Sequence, residues 1–172
     1  MTLLCLPLSM RYARYLARAL KVEQSIEKII QTIVERLDQY SSEVRGKEHD
    51  RLIAAFQKIG QELGFISQPE LSQKGARIDV VWLNREGGVD VAIEVEVSAQ
   101  WKKDIVTTWE TGPKLAVVLA HYKTDKALTD VIQYNLLQYM PHKLLLINYS
   151  LKKAYLLEKQ EIIRAYDLKT AT

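Results

Sequence analysis

Cysteine is nearly missing from this 172-residue chain, which has only Cys5. An internal disulfide is therefore excluded, and with it the small secreted scaffolds held by several bridges. A reducing, intracellular (cytoplasmic) setting is expected. Histidine is scarce as well, with three residues, and no Cys or His pair stands at zinc-site spacing. Glycine (7) and proline (4) are few, and none of the glycine-dependent signatures is present. There is no Walker loop, no GxGxxG and no GxSxG elbow. No window reaches the roughly 18 apolar residues of a membrane span. The opening MTLLCLPLSM has no basic residue ahead of its short apolar run. It reads as a packing segment, not a targeting signal. Internal repeats and low-complexity segments are also lacking.

What is present is an ordinary globular composition, 48% apolar and 26% charged, enough for one domain with a real core. The net charge of +3 is unevenly spread: residues 1–47 carry +3, 48–141 carry −3 and 142–172 carry +3. An acidic centre between basic ends fits a cation site flanked by surfaces for a polyanion.

Residues 9–41 contain no Pro or Gly and predict a long helix. Tyr12, Leu16, Ala19, Ile26, Ile30, Ile33, Leu37 and Tyr40 follow a heptad-like rhythm interrupted by Glu23. That stripe needs a partner, either the rest of the chain or the same helix of a second copy, which would make a homodimer. A second helix is expected over 47–63, ended by Gly64. Short strands are expected at 65–68, 143–149 and 154–157, while residues 162–166 have no clear assignment. Leu115–Ala120 is a continuous apolar run, the pattern of a strand covered on both faces. Further helices are predicted over 100–110, with Ser98 as N-cap, and over 125–139, before Pro141. This order predicts an α/β fold, a three-layer α/β/α sandwich with a central mixed sheet. The domain reading is an N-terminal helical extension over 1–45 and an α/β core over 46–172.

The chemistry concentrates in residues 75–96, GARIDVVWLNREGGVDVAIEVE. Two apolar runs flank the turn signal Asn84-Arg85-Glu86-Gly87-Gly88, which predicts an antiparallel hairpin. Asp79 lies within the first strand. Glu94 and Glu96 lie in the second and point the same way, while Ile93, Val95 and Val97 point the other. Carboxylates inside apolar strands repel one another and resist desolvation. A hard divalent cation removes both difficulties, because such cations prefer oxygen ligands. The competing reading makes Glu94 and Glu96 surface positions paired with Lys102 or Arg77. His49 reads as a surface or capping histidine, and His121 and His142 receive no role.

Taken together, Gly46-Lys47-Glu48-His49, the helix ending in Glu62-Leu63-Gly64-Phe65, the run Arg77-Ile78-Asp79-Val80-Val81 and the run Ala92-Ile93-Glu94-Val95-Glu96 resemble the PD-(D/E)xK nuclease superfamily. The arrangement is similar to that of archaeal Holliday-junction-resolvase-type nucleases over about residues 46–119. The resemblance implies a restriction-endonuclease-like fold and metal-dependent cleavage of DNA, duplex or branched. It implies that Asp79, Glu94 and the carbonyl of Val95 hold Mg²⁺ or Mn²⁺, with Glu48 reaching the ion directly or through water. Glu96 stands where the family usually has lysine. That departure leaves two roles open for it, general base or ligand of a second ion. Lys102 would offset developing charge, and Arg77, Gln100, Lys103 and Lys74 would contact substrate. The departure also leaves open a catalytically degenerate module that binds DNA or a protein partner.

Overall fold

The computed structural model describes residues 5–73, 76–96, 111–121, 143–159 and 161–172. The elements are α1 (Cys5–Ser42), α2 (Glu48–Glu62) and strands β1 (Ile66–Gln73), β2 (Ala76–Leu83), β3 (Val89–Val95), β4 (Leu115–Ala120), β5 (Lys143–Asn148), β6 (Lys153–Glu158) and β7 (Glu161–Asp167). The seven strands form one sheet in sequence order. β3, β4 and β5 are parallel neighbours, and the remaining pairs are antiparallel. The sheet is therefore mixed, as the alternation of elements predicted. Two parallel neighbours require crossover connections. The connections between these strands fall mostly outside the described residues. The helices predicted at 100–110 and 125–139 lie outside the described residues, as does the third layer that they would form.

One hydrophobic core joins the helices to the sheet. Ile26, Ile29, Ile30, Ile33, Val34 and Leu37 of α1 pack with Leu52, Ala55, Phe56 and Ile59 of α2, and with Val80, Trp82, Val91, Ile93 and Val95 of the hairpin. This half of the heptad-like stripe thus packs within the chain, and the 45/46 boundary separates residues that share a core. Farther along α1, Tyr12, Tyr15 and Leu16 are exposed. β4 is buried throughout, which explains its unbroken apolar sequence. Among the described residues, no helix is long and apolar enough to cross a membrane.

The seat of α2 on the sheet is unusually close. A Cβ at Gly60 would lie 2.5 Å from Nε1 of Trp82, so only glycine lets the helix approach this near. Trp82 is fully buried. Its indole N–H donates to the Phe56 carbonyl at 3.2 Å, and its ring stacks on Phe65 at 5.6 Å. The contact fixes the height of α2 over β2 and so sets where the helix's first turn, Glu48 and His49, meets the sheet.

The hairpin turn is organised by Asn84. Its side-chain oxygen accepts the N–H groups of Glu86 (3.0 Å) and Gly88 (2.9 Å), and its amide donates to Asp90 at 2.8 Å. Gly87 supplies the left-handed residue at φ 82°.

Candidate active site at the fork of β2 and β3

The antiparallel ladder of β2 and β3 runs from the turn as far as Val80↔Ile93. Continued one step, that register would set Asp79 opposite Glu94, but the paired rungs end before it. The ladder has opened by then, and the Asp79 side chain takes its place. Its Oδ2 accepts the Val95 backbone N–H at 2.9 Å. The Asp79 side chain keeps 20% of its exposure, so the carboxylate is reachable from solvent. Glu94 is only 6% exposed and continues in the parallel ladder with β4, opposite Val118. The Glu96 backbone N–H donates to the Leu119 carbonyl at 2.8 Å, holding β3 to β4 past the fork. The Glu96 side chain is half-buried. Both Glu94 and Glu96 have polar or ionic partners.

On the other side of Asp79, β1 carries Glu70 in a left-handed conformation at φ 53°. The β1–β2 ladder steps from Pro69↔Val80 to Leu71↔Ile78 and omits the rung between them. The side-chain pattern changes there as well. Val80 joins the helix-side core, whereas Ile78 packs with Val81 and Ala92 in a separate small cluster. The regular alternation of β2 is broken at Asp79.

Two histidines that the sequence reading kept out of the chemistry, one as a surface or capping residue and one with no role, meet expected acids. His49 Nε2 lies 3.6 Å from Asp79 Oδ2, and its Nδ1 lies 3.7 Å from Asp50 Oδ1. His121, just past β4, brings Nε2 to 2.9 Å from Glu48 Oε1. That approach is close enough for an ion pair but is not aligned as a hydrogen bond. His121 Nδ1 contacts the Ser150 hydroxyl at 3.2 Å, and its ring meets Tyr149 edge-on at 5.4 Å. Position beside Glu48 was the only local hint for His49. His121 follows a buried strand and had no local hint at all, because its partner is 73 residues away.

The expected acids are therefore distributed. Asp79 lies at the fork beside the strand that carries Glu94 and Glu96, while Glu48 faces His121. Val95 contributes its N–H to Asp79. Arg77 is exposed and pairs with Glu70, so its carboxylate partner lies on the edge strand, away from Glu94. Lys74, Gln100, Lys102 and Lys103 lie outside the described residues. Among the described residues, no three His, Cys, Asp or Glu side chains converge as a metal site.

Behind His121, Asp38 of α1 gathers several donors. Its Oδ1 accepts the Tyr149 hydroxyl at 2.7 Å and Lys152 Nζ at 2.6 Å, and its Oδ2 accepts the Ala171 N–H at 2.7 Å. Burial alone would raise the Asp38 pKa. The bonds from Lys152, Ala171 and Tyr149, with the ammonium charge, outweigh burial and hold the carboxyl below its ordinary range. Burial pushes the Tyr149 hydroxyl up.

No family model and no curated protein matches the chain. Two solved structures are similar in part. One is a cryo-EM structure of a DrdV–DNA complex, with 18% identity and a TM-score of 0.41, covering 84% of this chain and 12% of that one. The other is SPO1766, a protein of unknown function from Silicibacter pomeroyi, with 21% identity and a TM-score of 0.34, covering 64% of this chain and 66% of that one. The chain thus spans about an eighth of the first and just under two thirds of the second. Likeness of this extent carries no inference about activity.

Proposed function

We propose that this chain is a metal-dependent nuclease that hydrolyses phosphodiester bonds of DNA, duplex or branched, with Asp79 and Glu94 holding Mg²⁺ or Mn²⁺. The observation that carries the reading is the fork. The ladder stops one rung short of Asp79 and Glu94. There the Asp79 carboxylate accepts the Val95 N–H and stays partly open to solvent, beside the strand that carries Glu94.

The donors fit the ion. Mg²⁺ and Mn²⁺ take oxygen ligands, and Mg²⁺ commonly uses one or two carboxylates, completing its shell with water and substrate phosphate. When bound, such an ion polarises a phosphoryl oxygen and lowers the pKa of coordinated water. The chain's own part is positional. Val95 N–H fixes one oxygen of Asp79. Half-buried Glu96, two residues beyond Glu94, is assigned the base that takes a proton from water. Glu48 is assigned a supporting role through His121. Lys102 is proposed to meet charge on the phosphate, with Gln100, Lys103, Lys74 and Arg77 along the substrate.

The test uses purified protein with supercoiled plasmid, branched and single-stranded DNA, in Mg²⁺, in Mn²⁺ and in chelator. Cutting is expected in either metal and none in chelator. Asp79→Asn and Glu94→Gln should each reduce cutting at least about a hundredfold, since each removes an anionic ligand. Cutting that persists in both variants refutes the assignment. DNA binding at low salt with no cutting in any metal supports instead a degenerate module on the same frame.

A further inference from the structure

We infer that the N-terminal half of α1 is a binding surface for single-stranded DNA, with Tyr12 and Tyr15 stacking on bases and a basic face of the helix following the phosphates. The inference deepens the reading of this chain as acting on DNA and rests on it. The run Arg11-Tyr12-Ala13-Arg14-Tyr15-Leu16-Ala17-Arg18 interleaves arginine and tyrosine within the helix. Arg11, Arg14, Arg18 and Lys21 recur at intervals of three, four and three residues, which a helical backbone brings to one face. Tyr15 is four residues after Arg11 and three before Arg18, so it stands beside that face, and Tyr12 is its neighbour one turn back. Both tyrosines are largely exposed, Tyr12 at 64% and Tyr15 at 70%.

The described core contacts of α1 begin at Ile26, about 16 Å along the helix axis from Tyr15 at a rise of about 1.5 Å per residue. Core packing therefore does not explain the tyrosines. The charge of the segment decides what does. No Asp or Glu precedes Glu23, so the segment carries cations with no anions of its own. A second copy laid symmetrically along the same stretch would set cations beside cations, which costs affinity. A polyanion gains from those charges by releasing its counterions. Three of the four cations are arginine, whose planar fork both pairs with phosphate and stacks. The tyrosines add a flat face for an unpaired base, a contact open to every base and closed to a paired one. The most exposed of the described apolar groups are the two tyrosines and not Leu16, at 43%, which favours a stacked base over a lipid chain.

The experiment measures binding of the full chain to a fluorescent oligothymidylate of about twenty nucleotides, across a series of salt concentrations and in chelator, so that no cutting intervenes. Wild type is expected to bind it more tightly than a duplex of the same length. Arg11→Gln, Arg14→Gln, Arg18→Gln and Lys21→Gln together should flatten the slope of log affinity against log salt by about 3, at about 0.7 per phosphate neutralised on a single strand. Tyr12→Ala with Tyr15→Ala should weaken binding at least about fivefold and leave that slope unchanged. Circular dichroism checks that α1 stays helical, since glutamine is close to arginine and lysine in helix propensity. Equal binding by wild type and both variants, with metal-dependent cutting of plasmid intact, overturns the inference alone. Tighter binding to the duplex, with the tyrosine variant equal to wild type, does the same. So does capture by anionic phospholipid vesicles, or a concentration-dependent dimer, that both variants abolish with no change in DNA binding. Wild type that neither binds nor cuts DNA at low salt removes the reading of DNA as substrate together with this one. The wild-type preference for the single strand needs no variant to fold.

Discussion

Gly60→Ala separates helix propensity from packing with a single methyl. In an exposed helix interior, replacing glycine by alanine stabilises by about 1 kcal/mol. Here the added carbon would lie 2.5, 2.7 and 2.8 Å from three atoms of the Trp82 indole, about 1 Å inside the distance of best contact. The indole cannot swing aside cheaply. It is completely buried, hydrogen-bonded to Phe56 and stacked on Phe65. Overpacking of a dense core costs about 1–3 kcal/mol, and a strained indole bond adds about 1 kcal/mol. Packing therefore outweighs propensity, and a net loss of about 2 kcal/mol is expected. For a chain of this size that corresponds to a fall in Tm of about 4–8 °C. Urea and thermal unfolding followed by circular dichroism would measure it. Trp82→Phe should relieve the clash, so the double variant should lose less than the sum of the two singles. A Gly60→Ala protein as stable as wild type would refute the close seating of α2.

Asp38→Ala leaves the Tyr149 hydroxyl, Lys152 and the Ala171 N–H without their shared acceptor, and is expected to cost about 2–3 kcal/mol at neutral pH. Because folding lowers the Asp38 pKa, its stabilisation is complete above the unfolded value, about 3.9. It is lost as pH falls through the lower folded value, so wild type and Asp38→Ala should converge in stability toward strongly acidic pH. A difference that stays constant with pH would sink that account. Asn84→Ala removes an acceptor for two turn amides and a donor to Asp90; a loss of about 1–2 kcal/mol is expected, with faster hydrogen exchange at Glu86 and Gly88, and unchanged exchange would count against it.

The sheet was legible in the sequence where burial writes a pattern. The continuous apolar run of β4 and the alternating acids of β3 announced themselves, as did the Asn84 turn. β7 did not. Ile162 and Ile163 are adjacent, so they point to opposite faces, and both are exposed. Pairing with β6, not a core-facing period, makes it a strand. In α1, the stripe read from Tyr12 to Tyr40 meets the core from Ile26 onward, while Tyr12 and Leu16 stay in solvent. A periodic pattern states which face is apolar but not how far its partner extends. At the site, the approach of Asp79 to β3 followed from hairpin pairing, a local property. The pairs His49–Asp79 and His121–Glu48 depend on how α2 lies across three strands. No spacing within one element encodes that. The Arg77–Glu70 pair had the same origin in the β1–β2 register.

Asp79 is the rung passed over by the described ladders on both sides, toward Glu70 and toward Glu94. A strand tied to neighbours at every residue is stiff, and a carboxylate mounted on it can change its reach only by rotating its own bonds. At Asp79 neither neighbouring ladder supplies that support, and the Val95 N–H holds the carboxylate instead. Losing that one bond would therefore unmoor the side chain without disturbing the rungs on either side of it.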